Sequence, residues 1–247
     1  MSRGTTVATK GLVLLALLAG IAVCVRTLAL GRETVWMPLL SAAAARLVFR
    51  SLTIALGLAA WFVSQSLIGA RALCEGRIGD AVHEWTAPLN AWFGRNRGAA
   101  NALLITTSGF IDLFAVFLLG SALFGPSLRP GIALLLLFLF RQISQLACAL
   151  PTPSGMIWRH PGVPSLLVTY DVATDFFFSG HTAIAVLAAI EVAMVAPGWL
   201  AIAAGLIAAF EGLTVLVLRA HYTMDVLTAV VAAFCAEGLA SRLCVGF

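Results

Sequence analysis

The chain is 247 residues long, 61% hydrophobic and only 11% charged, with a mean hydropathy of +1.02. That composition excludes an ordinary soluble domain and places the chain among polytopic membrane proteins, whose solvent is mostly hydrocarbon. A formal charge of +4, carried by scattered arginines without a basic block, excludes nucleic acid as a partner.

Apolar runs of bilayer length appear at 11–30, 51–73, 102–124, 130–149, 179–196, 198–218 and 222–240. Each approaches the roughly 20 residues that a helix needs to cross a membrane. The expected fold is therefore all-α, a membrane helix bundle with six core spans and an extra N-terminal helix. That first run, "GLVLLALLAGIAVCV" after Lys10, has no small-residue cleavage site behind it, so it reads as an uncleaved helix rather than a signal peptide. Arg26, Arg32, Arg46 and Arg50 against Glu33 favour a cytoplasmic position for the next segment, although Arg77, Arg95 and Arg97 weaken that asymmetry.

Punctuation separates the runs: "FGPSLRPG" near Pro126 and Pro130, "PTPSG" at 151–155, and "APGW" at 196–199. Two longer connections, 74–101 and 150–178, carry Trp85, Trp92, Trp158 and Tyr170, aromatics suited to the membrane interface. His83 and His160 lie in these connections and read as interfacial. Five cysteines (Cys24, Cys74, Cys148, Cys235, Cys244) lack metal-ligand spacing and read as packing residues. With no internal repeat, the chain divides into an N-terminal hydrophobic segment and basic connection at 1–50, one membrane domain at 51–240, and a short tail at 241–247.

Chemistry concentrates at the mouths of two spans. "TDFFFSGHT" sets Ser179, Gly180 and His181 at the start of the 179–196 run. Ser179 is a good N-cap, and the N–H groups behind it favour an anion. Forty residues on, "RAHYTMDV" places His221 and Asp225 four positions apart, on one face of a helix, where a carboxylate can hold an imidazole N–H. Such a histidine is prepared as base or nucleophile. The spans at 179–196 and 198–218 form a hairpin between the motifs, so both histidines are expected on the same side of the membrane. A lone histidine at a helix end is ordinarily a satisfied polar residue, but two at matching depth with an aspartate make an active site. Asp112, Glu191 and Glu211 within spans read as structural pairing residues.

The "FSGHT" and "HYTMDV" stretches, Asp175 four residues before Ser179, and Arg141 followed by "LPTPSG" resemble the sphingomyelin synthase family, a branch of the type 2 phosphatidic acid phosphatase superfamily. "EWTAPLNAWFGRNRG" is a loose echo of that family's first motif. Departures from that family stand at Ala173-Thr174 and at Ser154, and from the wider superfamily at Val215. The resemblance covers about 51–240. It implies six helices with both histidines on the exoplasmic or periplasmic face, and transfer of phosphocholine or phosphoethanolamine from a glycerophospholipid to ceramide.

In that scheme His221 attacks phosphorus to give a phosphohistidine, Asp225 steadies the imidazolium and His181 protonates the departing diacylglycerol oxygen. Arg141, Asp175, Ser179, Gly180, Arg219 and Tyr222 are expected to bind substrate. Asp171 and Asp175, with Tyr170 and Phe176 to Phe178, face the cationic amine. No metal and no cofactor is expected, and the partners are membrane lipids: the phospholipid donor and ceramide or diacylglycerol. The oligomeric state, monomer or homo-oligomer, stays open. The alternatives are a lipid phosphatase or phospholipase C-like hydrolase using water, and a transporter, for which no broken-helix repeat is visible.

Overall fold

Apolar runs bounded by Pro and Gly fold as helices because hydrocarbon leaves backbone N–H and C=O groups no other partner. The computed structural model describes residues 42–70, 75–168, 170 and 176–244. Among these the regular structure is helical: α1 (Ala42–Gly69), α2 (Ala81–Trp85), α3 (Ala87–Arg95), α4 (Arg97–Phe124), α5 (Arg129–Ala147), α6 (Gly180–Val195), α7 (Gly198–Val217) and α8 (Thr223–Leu243). Five of them, α1, α4, α5, α7 and α8, are long and apolar enough to cross a membrane. The sixth, α6, is apolar but has only 16 residues. The chain is thus a polytopic helical membrane protein. The 11–30 run lies outside the described residues.

The outer surface is apolar, with Leu113, Val116, Ile202, Leu206, Leu213, Val231 and Phe234 all exposed. Burial of greasy side chains cannot hold such a bundle together in lipid, so close packing of small residues must. On α8 a stripe of Ala229, Ala233, Ala236 and Ala240 is fully buried at heptad-like spacing. α6 is the hub, packed against α4, α5, α7 and α8, and it buries Ala183, Ala185 and Ala188. A Cβ on Gly57 would lie 2.0 Å from Leu135 Cδ2, so glycine there lets the Leu135 side chain of α5 lie directly against the α1 backbone. Cys148 and Cys235 are exposed, outside the packing role expected, whereas Cys244 is partly buried and packs against the core.

Charged side chains within and at the ends of spans find partners. Arg129 at the start of α5 bridges Glu191 of α6 at 2.7 Å and Glu237 of α8 at 2.6 Å. Thr107 donates to Glu211. Asp112 accepts from Ser165 Oγ at 2.8 Å and Leu166 N–H at 3.0 Å, anchoring the long loop before α6 against α4. The segment expected as a plain connection contains α2 and α3. Asp80 caps α2 by accepting from Val82 and His83 N–H, and a proline lies in the first turn of α3. Both helices are too short and too polar to register as apolar runs. Their Trp85 and Trp92 are exposed, as interfacial residues should be.

Candidate functional site

The ends of α5 and α7 and the beginnings of α6 and α8 gather at one end of the bundle. Ser179 starts α6 as expected of an N-cap: its Oγ accepts from Thr182 N–H at 3.4 Å and from Thr182 Oγ1–H at 3.1 Å. Its own N–H donates to Asp225 C=O at 3.2 Å, which ties the start of α6 to the first turn of α8.

The α7–α8 turn presents the second histidine. Arg219 takes the left-handed conformation at φ 55°, and the N–H groups of Ala220 and His221 both reach back to Val215 C=O, at 2.9 and 3.3 Å. The chain thereby reverses within a few residues. Asp225 Oδ2 accepts Tyr222 N–H at 2.8 Å, which fixes the carboxylate, and stands 3.5 Å from His221 Nδ1. Asp225 is 1% exposed and His221 7%. The ring and the carboxylate face each other with water nearly excluded, where their attraction is strongest.

His181 and His221 line one cavity of ≈ 60 Å³, together with Arg141, Gly180, Trp158 and Phe176. The space admits a few water-sized groups. Arg141 Nε donates to Phe178 C=O at 3.0 Å. A Cβ on Gly180 would lie 3.3 Å from that same Nε, so glycine lets the guanidinium sit against the start of α6. Trp158 packs edge-on against His181 at 4.9 Å, and Phe176 edge-on toward His221 at 6.4 Å. His181 Nε2 is buried and meets no hydrogen-bonding partner in the protein. Among the described residues, no group of three or more His, Cys, Asp or Glu side chains could hold a metal ion.

A second layer holds the α7–α8 turn. His83 Nε2 lies 2.9 Å from His221 C=O; a carbonyl can only accept, so this nitrogen carries the proton. Its ring stacks on Tyr222 at 5.4 Å. Asp80, besides capping α2, accepts from Thr223 N–H at 2.7 Å and Thr223 Oγ1–H at 2.8 Å. Burial alone would raise the Asp80 pKa, but the Thr223 and His83 hydrogen bonds hold it below the ordinary carboxylate value. Arg219 Nη1 donates to Ser154 C=O at 2.6 Å and Nη2 to His83 C=O at 3.0 Å. Tyr222 OH donates to Pro151 C=O at 3.0 Å. Asn90 Nδ2 reaches Gly155 and Val217 carbonyls at 3.2 and 2.9 Å. Gly155, at φ +79°, is needed where a Cβ would lie 3.1 Å from Asn90 Oδ1.

The structure therefore brings His181, His221, Arg141 and Gly180 to the cavity wall, with Asp225 and Ser179 directly behind. Arg219 and Tyr222 stand beside the site, Arg219 Nη1 and Nη2 on the Ser154 and His83 carbonyls and Tyr222 OH on that of Pro151. Asp171 and Asp175 lie outside the described residues. His83 is not the interfacial residue expected but a buried one at 7% exposure. Trp158 and Tyr170 likewise turn inward, Tyr170 onto Ser108. Their long-range partners leave no trace in local spacing. The one legible signal was Asp80, a capping residue just before a short helix.

A family model described as AtPDCT1/2 matches residues 80–242. No curated protein and no solved structure matches. The match corrects the resemblance to the sphingomyelin synthases. The motifs that carried it do not encode which lipid alcohol would receive a headgroup. The departures at Ala173-Thr174 and Ser154 are where the sequence had already left that family's pattern.

Proposed function

The chain belongs to the AtPDCT1/2 family, that of phosphatidylcholine:diacylglycerol cholinephosphotransferases, and from this premise we propose that it moves phosphocholine from phosphatidylcholine to diacylglycerol within the membrane. The observation that carries the chemistry is the convergence of His181 and His221, from two different spans, on one cavity with Asp225 set against His221. His221 Nε2 attacks phosphorus, and the bond from phosphorus to the glycerol oxygen breaks. His181 gives that oxygen a proton, so diacylglycerol leaves and phosphocholine stays on His221. In the second half a new diacylglycerol hydroxyl gives its proton to His181, its oxygen attacks phosphorus, and the bond to His221 breaks. Asp225 stabilises the imidazolium in both halves, while Arg141 and the N–H groups at the start of α6 offset charge on the phosphoryl oxygens. Trp158 and Phe176 offer aromatic faces to the choline cation.

The site faces the exoplasmic or periplasmic side, opposite the C-terminal end of α8. Labelling of cysteines placed at 178 and 220 from the same side as that end would reverse this orientation.

The full chain in mixed micelles, given phosphatidylcholine labelled in its headgroup and a diacylglycerol of different acyl length, should yield labelled phosphatidylcholine carrying the new chains. Release of free phosphocholine at a rate independent of added diacylglycerol would instead establish a phospholipase C-like hydrolase.

A further inference from the structure

Beside the catalytic cavity lies a second, almost wholly apolar one of ≈ 140 Å³ between α1 and α5. Trp61 and Phe138 line both cavities and stack on each other at 5.1 Å, so this pair is the partition between them. Ile143 and Leu146 on the rim are exposed on the outer surface, which opens the groove toward lipid.

Two polar atoms interrupt its apolar wall. Trp61 is 6% exposed and its Nε1–H has no hydrogen-bond partner; Gln142 is 7% exposed and its Oε1 has none, although its Nε2 donates to Gln65 at 3.0 Å. At hydrocarbon depth an unpaired donor and an unpaired acceptor are each costly. Nothing in the bundle's packing repays them. A ligand would, provided it brought an acceptor for the indole and a donor for the amide oxygen into an apolar channel.

We propose that the groove between α1 and α5 is the loading site for diacylglycerol, with an ester carbonyl on Trp61 Nε1–H and the free glycerol hydroxyl on Gln142 Oε1. The assignment rests on the transfer reaction proposed above, since it selects between that reaction's two lipids. Diacylglycerol carries both complements. Phosphatidylcholine carries ester and phosphate acceptors but no donor, so it leaves Gln142 Oε1 unpaired. The acyl chains lie along Leu135, Leu139 and Ile143, and the hydroxyl reaches the histidines by passing the Trp61–Phe138 partition. α1 lies ahead of the matched segment 80–242, so the wall of the groove that carries Trp61 is built outside it.

The test uses diacylglycerol with a photoreactive diazirine in one acyl chain, in phosphatidylcholine nanodiscs, on the full-length His221→Ala chain so that no turnover intervenes. Labelled peptides should map to 57–64 and 135–146, and excess unlabelled diacylglycerol should abolish the label. In the otherwise native enzyme, Trp61→Phe and Gln142→Leu should each raise the KM for diacylglycerol by roughly 3- to 10-fold, the value of one hydrogen bond, and leave the KM for phosphatidylcholine unchanged. Label that spreads equally to the outer face of α7 at Leu206 and Leu213, or that resists competition, overturns the proposal, as do unchanged KM values in both variants. Competed labelling of the groove, with no headgroup transfer by the enzyme that retains His221, would sink the transferase reading and leave the diacylglycerol site standing. Normal transfer with diffuse labelling would do the reverse.

Discussion

His221 and Asp225 have the spacing of a base and its orienter, and the structure adds that Asp225 is fixed by Tyr222 N–H before it meets the ring. Asp225→Asn can keep the Tyr222 bond while losing the charge that stabilises an imidazolium. Transfer should therefore fall by about 10⁴, by analogy with triads that lose this carboxylate, with little change in the melting temperature in detergent. His221→Ala should abolish transfer. For His181→Ala the informative quantity is the rate at which headgroup label appears on the protein in a single turnover. Without an acid for the diacylglycerol oxygen this step should slow by roughly 10²- to 10⁴-fold, and an unchanged rate would remove His181 from the role of proton donor. These residues were legible because a cap, a histidine and an i,i+4 aspartate are local patterns. His83 was not. It contacts His221 across 138 positions in sequence, and nothing near it in the chain announces that partner.

At the scale of elements, α2 is a five-residue helix that acts as a clamp: Asp80 holds its start and the start of α8 with one carboxylate. An asparagine there has one oxygen for both tasks, and its NH₂ would confront the Thr223 N–H. Asp80→Asn should lower the thermal midpoint by a few degrees, about what a lost cap costs in a chain of this size. The pH dependence has a definite sign. Because the folded pKa lies below the unfolded one, the stabilisation is present above the unfolded value near about 4 and disappears as pH falls through the folded value. Melting curves of wild type and Asp80→Asn should therefore converge on acidification and separate again near neutrality; a constant gap would mean that the charge plays no part. The spans themselves were readable because a bilayer imposes length and apolarity together. α2 and α3 escaped because neither constraint acts on interfacial helices of five and nine residues.

At the scale of the whole molecule, the sequence showed that both motifs open spans and so meet at one end, but not which loop covers them. The covering is done by 148–168, pinned through Asp112, which had read only as a pairing residue within a span. The family, too, was legible only as far as its phosphoryl chemistry. In the proposal above, acceptor choice depends on the α1–α5 groove, where no motif marks the contributing residues.

α6, the hub, has a further physical consequence. Its 16 residues rise roughly 24 Å, against a hydrocarbon thickness of about 30 Å. The surrounding leaflet must thin, or water must dip, to meet His181 at its first turn. In the transfer reaction proposed above, substrate phosphates would thereby be drawn down to the histidine, and hydrophobic mismatch would become part of the catalytic geometry. Transfer rates in vesicles of graded acyl length, at fixed diacylglycerol fraction, should then peak in bilayers thinner than the cellular average and fall as the chains lengthen. A rate indifferent to thickness would show that the bundle, and not the membrane, sets the depth at which the headgroup is handed over.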